Sequence, residues 1–403
     1  MRSDSGRRGR WFPAVVIAVL LAVLAAGTAN NLVRNPQPRL VADGIPGRTA
    51  AHTASSLGGG EQYDDLVRHA LADLDGLTLP NGATLAGWDG PWRYVWPRDA
   101  SFVAAARCAI GQYDEALKVL SFLEGVRPST GRWEARYTET GGQVGDGRAA
   151  QLDGSGWVLW ATWFCHAGSR YWDLVHESAD QIVAELGPDG LPGPSSDYWE
   201  RPETQVTLGT VAPLLTGLRA AVRIATEQRR PDEAARWQSA VEKLSEATDR
   251  VFGPDYPRTP AKATSFVEPG VAPISIRGGA DAIVTVLGPP FAQPRDVVST
   301  AIDRAHAVLT QPNGGVTPGE DWRTDGVSWT PQTALFALSA AARGDHATAN
   351  ALLSWLDRNR TSTGALPEKV NRDREPAGEA PLAWTAALVV LADTALQNPL
   401  PIP

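Results

Sequence analysis

Reactive side chains concentrate in Tyr94-Val95-Trp96-Pro97-Arg98-Asp99-Ala100, preceded by Gly87-Trp88-Asp89-Gly90-Pro91-Trp92. Thirteen residues, from Gly87 to Asp99, carry three tryptophans, two arginines and two aspartates. Indoles stack on the apolar faces of a ligand, and paired charges hold its polar groups. Together they suit a polar, ring-shaped ligand such as a sugar.

Further carboxylates sit in similar settings downstream. In Ser196-Asp197-Tyr198-Trp199-Glu200-Arg201 an acid follows an indole. A carboxyl pressed against an indole loses hydration, which raises its pKa and suits a general acid. Taken alone, Glu200 reads more simply as a solvated acid near a helix start. Gly364-Ala365-Leu366-Pro367-Glu368-Lys369 holds one glutamate after a proline and leads to Pro381-Leu382-Ala383-Trp384. Glu368 could serve as a base, or it could merely pair with Lys369. Glu375 and Glu379 lie close by, with no aromatic neighbour before Trp384. Gln151-Leu152-Asp153-Gly154 opens another helical run, and Glu320-Asp321-Trp322, followed by Trp329 and Pro331, lies at one more loop-to-helix junction.

These stretches need a scaffold that gathers them. From Glu61 onward the apolar spacing is helical and strand-like alternation is scarce. Helical runs are expected near 62–75, 97–110, 112–125, 150–168, 170–186, 203–229, 231–252, 279–287, 294–310, 328–343, 345–360 and 380–397, the run at 279–287 being the weakest. Arg107-Cys108-Ala109-Ile110-Gly111 and Ala342-Arg343-Gly344 each end one helix just before another begins. There glycine supplies the left-handed position of a tight αα turn. Looser versions occur at His166-Ala167-Gly168 and Arg230-Pro231-Asp232. The tight turns alternate with longer loops at 76–96, 126–149, 187–202, 253–278, 311–327 and 361–379. Repeated hairpins form a solenoid or a closed ring. An all-α (α/α)6 toroid of about six helical hairpins is expected, with all six long loops at one end.

The 403 residues carry a formal net charge of -8, which argues against a nucleic-acid partner. No Cys/His cluster has zinc spacing and no glycine-rich loop has phosphate-binding form, so neither metal nor cofactor is expected. Cys108 and Cys165 both lie in apolar helical runs and read as two small buried residues rather than a bridge. Residues 1–10 are basic and residues 11–26 apolar, ending in Gly27-Thr28-Ala29. This is the pattern of an export signal, or of an uncleaved membrane anchor spanning residues 11–29. Either one places the body outside the cytoplasm, secreted or held at the membrane. Residues 30–60 read as a linker and 61–403 as the functional domain, a monomer by default.

With these residues in place, the chain resembles glycoside hydrolase family 15, the glucoamylase-like enzymes, over most of residues 85–396. Trp96-Pro97-Arg98-Asp99 looks like the family's Trp-x-Arg-Asp, whose Arg and Asp hold sugar hydroxyls in the cleavage subsite. Gln151-Leu152-Asp153-Gly154 is similar to its Gln-x-Asp helix start. Asp197-Tyr198-Trp199-Glu200 resembles its Asp-x-Trp-Glu, which carries the general acid. Leu366-Pro367-Glu368-Lys369 with Trp384 resembles its base-bearing segment. The resemblance implies an inverting, exo-acting α-glucosidase with Glu200 as acid and Glu368 as base. Arg98, Asp99, Trp96, Asp153, Asp197, Trp199, Trp329 and Trp384 would bind an oligo- or polysaccharide. Inversion requires about 6.5–9.5 Å between the two carboxyls, room for one water. The sequence departs from the family at Arg201, where a common member has a second Glu, and at Thr317 and Pro318, where many have an Arg ahead of the Glu-Asp-aromatic segment. Both changes fall on the leaving-group side. A silent sugar-binding envelope protein on the same toroid, a trehalase-like enzyme and a structural helical repeat remain alternatives. The last predicts tryptophans in the core instead of around a pocket.

Overall fold

The computed structural model describes residues 37–46, 62–129, 132–260 and 278–403. The signal or anchor segment at 1–29 lies outside them. Eleven α-helices occur among the described residues: α1 Asp64–Leu77, α2 Pro97–Ala109, α3 Tyr113–Gly125, α4 Asp153–Phe164, α5 Trp172–Glu185, α6 Leu208–Glu227, α7 Pro231–Phe252, α8 Asp296–Leu309, α9 Thr330–Ala342, α10 His346–Arg358 and α11 Ala383–Gln397. The weak run expected at 279–287 forms a short 3-10 helix, Ala282–Leu287. Its β-branched residues and the Gly288-Pro289-Pro290 that follows leave no room for a longer α-helix.

Helix packing closes a ring. α2 packs on α4, α4 on α6, α6 on the 3-10 helix, the 3-10 helix on α9, α9 on α11, and α11 back on α2. These six form the inner wall. Burial marks the division: every residue of α4 is buried, as is almost all of α2, α9 and α11, and α4, α9 and α11 are mainly apolar all round, whereas α2 also buries Arg98, Asp99 and Arg107. Outer helices bury one stripe only. α1 buries Leu66, Val67, Ala70, Leu71, Leu74 and Leu77, the three-and-four spacing of an amphipathic helix. The toroid read from the sequence is therefore the fold of this chain. α6 is long and apolar enough to cross a membrane, yet it is largely buried in the inner wall.

Close approach and turn geometry follow particular residues. α4 and α6 meet at Gly156 and Gly217. A Cβ on Gly156 would lie 2.2 Å from the Pro213 carbonyl oxygen, so only glycine permits this spacing. Gly111 and Gly344 take the expected left-handed conformation (φ 79° and 78°). At the two looser turns His166 and Arg229 occupy it instead, at φ 51° and 58°.

Two expectations need correction. Cys108 and Cys165 form a disulfide, with 5.4 Å between their Cα atoms. They close the tight-turn ends of α2 and α4, which are neighbours in the ring. Replacing both by serine is expected to cost about 2–4 kcal/mol in chemical unfolding. An unfolding midpoint unmoved by reductant in the wild-type protein would count against the bridge. Part of the presumed linker is docked: Val41 N–H donates to Gly378 O and Gly44 N–H to Ala380 O, both at 2.9 Å, and Ile45 is buried. A small antiparallel sheet also forms in the long loops. β1 Ser328–Trp329 pairs with β2 Lys369–Val370, and β2 with β3 Pro376–Ala377.

Candidate active site

The inner helices all begin where the long loops end, and a cavity of about 350 Å³ opens there. Six tryptophans line it: Trp92, Trp96, Trp199, Trp322, Trp329 and Trp384. A separate aromatic cluster fills the ring interior, with Phe102 5.0 Å from Trp157, 5.1 Å from Trp160 and 6.0 Å from Phe291 between centroids. Phe102 also lies 5.9 Å from Trp384, so the core runs directly up to the cavity wall. The tryptophans thus divide between core and pocket, which is not what a purely structural repeat predicts.

Pro97 starts α2 and places Arg98 and Asp99 in its first turn, on the cavity wall. The Arg98 guanidinium donates to Asp99 Oδ2 from Nε at 3.0 Å, lies 2.8 Å from it through Nη2, and stacks 4.4 Å over the Trp384 ring. Burial pushes the Asp99 carboxyl above its ordinary value, against the pull of Arg98.

Glu200 sits at the tip of the 196–201 turn with φ 55°, in the left-handed region that a non-glycine residue enters only under constraint. Its N–H donates to Asp197 O at 2.7 Å. Asp197 is the anchor of the turn. Its carboxylate accepts from Trp199 N–H at 2.9 Å, Thr207 Oγ1 at 2.6 Å and Arg258 Nη2 at 2.9 Å. Arg258 also binds Asp281 at 2.9 Å and Glu203 at 2.6 Å, and lies 3.7 Å over the Trp199 ring. Asp197 and Asp281 on one guanidinium raise its proton affinity further despite burial. Around the Glu200 carboxylate itself stand two cations, not simply an indole: Arg98 Nη2 at 3.8 Å and, in direct contact, Arg148.

Glu368 immediately precedes β2. Its N–H donates to Glu379 O at 2.7 Å and its carbonyl accepts from Thr330 N–H at 3.1 Å. The side chain is buried on the cavity wall, with Lys369 Nζ 3.1 Å from Oε2. Lys369 in turn lies 4.3 Å over the Trp329 ring, across the β1–β2 pair. Burial pushes the Glu368 carboxyl up, while Lys369 and a hydrogen bond with Trp92 pull the other way.

Arg98, Asp99, Trp96, Trp199, Glu200, Trp329, Glu368 and Trp384, each singled out in the sequence, share this one cavity. Asp153 and Asp197 lie behind its wall. Asp153 is fully buried at the start of α4, accepts from Trp157 Nε1 at 3.2 Å, and is pushed up to about 7 by burial. Arg148 and Trp92 belong to the wall and were missed as candidates, as was Arg258 behind it. Gly145-Asp146-Gly147-Arg148 offers only a loop signal, whereas Trp92 already stood in the aromatic stretch that drew attention. Among the described residues, no group of three or more His, Cys, Asp or Glu could hold a metal ion.

Several buried polar atoms of these lining residues have no hydrogen-bond partner among the described residues. They are Nε1 of Trp96, Trp199, Trp322 and Trp384, Nη1 of Arg98 and Oε1 of Gln332. Buried donors and acceptors are normally paired, so the wall holds polar groups that its own packing does not satisfy.

The fold and site together define an (α/α)6 toroid with a tryptophan-lined, carboxylate-bearing pocket at its loop end. Solved structures of that architecture include a glycosidase similar to this chain with TM-score 0.68 and 22% identity, over 83% of this chain and 96% of that one. A glycosidase variant in complex with glucose matches with TM-score 0.67 and 22% identity over the same shares. A bacterial glucoamylase complexed with acarbose gives 0.65 and 17%, over 82% of this chain and 55% of that one. Glucoamylase from Saccharomycopsis fibuligera gives 0.64 and 14%, over 86% and 98%. At these identities the likeness shows a shared fold. No protein-family model and no curated protein matches the sequence.

Proposed function

We propose that this chain is a glycoside hydrolase that removes a sugar from the non-reducing end of its substrate with inversion. The observation that carries the reading is one cavity lined by six tryptophans, the Arg98–Asp99 pair and two glutamates on separate loops. A ring bearing many hydroxyls would stack its faces on indoles and bond its hydroxyls to the charged pair. The glycosidases and glucoamylases that share the fold lend support, two of them with glucose or acarbose bound. Glu200, protonated, donates to the glycosidic oxygen, and the bond to the anomeric carbon breaks. Glu368, ionised, takes a proton from water as that oxygen attacks the opposite face. Arg98 and Asp99 grip the hydroxyls of the sugar being released, helped by Trp96 and Trp384. The aromatic plug beneath the cavity supports action at a chain end, since a long polymer could not thread through the ring.

Incubation of the soluble domain with α-glucosides and envelope glycans, with the product anomer read by NMR, tests the proposal. First release of the β-anomer from an α-linked substrate is expected; first release of the α-anomer would refute inversion. The contact of Arg148 with Glu200 favours one rival, a silent sugar-binding protein, because a cation held on the acid favours its ionised form. Ligand binding without turnover across that panel would select it. We further propose that the body acts outside the cytoplasm, secreted or anchored through residues 11–29. The Cys108–Cys165 bridge suits an oxidising compartment. Protection of the domain from protease added to intact cells, together with its absence from the medium, would contradict this.

A further inference from the structure

We propose that Glu379 is a positioning residue for the base: its carboxyl clamps the 87–89 turn onto the hairpin that carries Glu368, and its charge strengthens Glu368 as a proton acceptor. This rests on the reading of Glu368 as the base.

Geometry gives Glu379 both roles. Its side chain is fully buried, and Oε1 accepts the N–H groups of Trp88 at 2.7 Å and Asp89 at 2.9 Å. Its backbone carbonyl accepts the Glu368 N–H at 2.7 Å. One residue therefore ties two walls of the cavity together, because the clamped turn leads straight to Trp92, which lines the cavity with Glu368. The seat is fitted to the side chain. A Cβ on Gly87 would stand 2.3 Å from Glu379 Cγ and 2.9 Å from Oε1. Packing could be served by glutamine equally well, but the charge could not. Among the described residues, Oε2 has no hydrogen-bond partner and no cation is paired with the carboxyl.

Charged groups lie on each of the surrounding elements. Asp89 and Arg93 belong to the 87–93 stretch, where Arg93 stacks 4.4 Å over Trp88 and pairs with Glu139. Glu368 and Lys369 come from the hairpin, paired with each other, and its tip carries Arg372, Asp373, Arg374 and Glu375. On the docked 39–45 segment, Arg39 O accepts from Gly378 N–H at 2.9 Å, and Asp43 is bonded to Ser362 and Thr363. Burial, then Asp89 and Glu368, push Glu379 up to about 7, against the pull of its two backbone donors. The two residues are joined through the backbone, by the Glu368 N–H to Glu379 O bond, and ionisable neighbours that interact titrate as a pair, with two macroscopic steps. Whichever takes the first proton, the base is weakened: either Glu368 is itself protonated or it loses the neighbouring charge that sharpened it.

The test compares the acid side of the kcat/KM profile in wild type and Glu379→Gln. The amide keeps an oxygen for the Trp88 and Asp89 donors and removes the charge. Wild type is expected to lose activity over two ionisations. Glu379→Gln should show one, with its half-activity point lower by roughly half a pH unit or more. A profile superimposable on wild type, in a variant with unchanged melting, would overturn the charge role and leave Glu379 a packing residue. Should the variant fold poorly, selective carboxyl-carbon NMR reads the same coupling without turnover. The Glu379 titration is expected to move to lower pH in Glu368→Gln, and an unmoved midpoint would overturn the inference. Because that readout needs no catalysis, it fails separately from the base assignment, which falls if Glu368→Gln retains turnover.

Discussion

Glu368→Gln is expected to abolish measurable turnover, a loss of roughly 10²–10⁴-fold if acid–base assistance is the only term removed. The change keeps the volume of the side chain. It leaves the backbone bonds to Glu379 and Thr330 intact, and Lys369 can still lie over Trp329. The ability to take a proton from water is lost, together with the ion pair to Lys369. The fold should survive, and the sign of its stability change can be worked out. Burial raises the Glu368 carboxyl in the folded state, so the ionised form opposes folding above its unfolded value. That cost grows as pH climbs through the folded value, and a neutral amide escapes it. At neutral pH the variant should therefore melt at or above wild type. In wild type the same shift predicts that kcat/KM falls, as pH drops, at a point above the ordinary carboxylate range. Near-normal rates in a correctly folded variant would remove Glu368 from the mechanism.

Arg258→Met should be the most damaging single change in the fold, costing about 3–5 kcal/mol. Arg258 is 3% exposed, and its guanidinium meets Asp197, Asp281 and Glu203 at 2.9, 2.9 and 2.6 Å. Methionine fills much of the volume but leaves two fully buried aspartates without their cation. Burial already pushes Asp281 up, and Arg258 is the main opposing influence. The damage should reach the site directly. Asp197 holds the turn that carries Glu200, and Arg258 supports the Trp199 ring. A clear drop in the urea midpoint together with weaker sugar binding is expected. Unchanged stability would show that this cluster does not hold the acid-bearing turn.

Much of the architecture could be read from the sequence because each helix advertises itself locally. Apolar spacing located the helices, and Gly111 and Gly344 marked two turns. Alternation of short and long connections then placed the chemistry at one end. What escaped depends on neighbours in space. Cys108 and Cys165 are separated by 57 residues and look like ordinary core residues. Only the adjacency of α2 and α4 at their C-terminal ends reveals the bridge. Arg258 follows Tyr256-Pro257 in a loop with no local partner, and all three of its carboxylates come from elsewhere in the chain. Glu379 has no aromatic neighbour in sequence, and only the fold brings the backbone N–H groups of Trp88 and Asp89 onto it. Asp153 and Asp197 fit sugar-binding motifs by position, but burial turns both away from the cavity wall.

The closed ring has one more consequence. α2, α4, α6, α9 and α11 all begin at the cavity end, at Pro97, Asp153, Leu208, Thr330 and Ala383. Each aligned backbone contributes a partial positive charge of about half a unit at its start. The bare scaffold is thus an electropositive bowl, the wrong polarity for a reaction whose transition state resembles an oxocarbenium ion. Asp99 and Glu368 on the wall oppose that polarity, while Arg98 and Arg148 add to it. On the proposed reading, a toroid that cleaves glycosides at this rim needs carboxylates beyond the two that move protons.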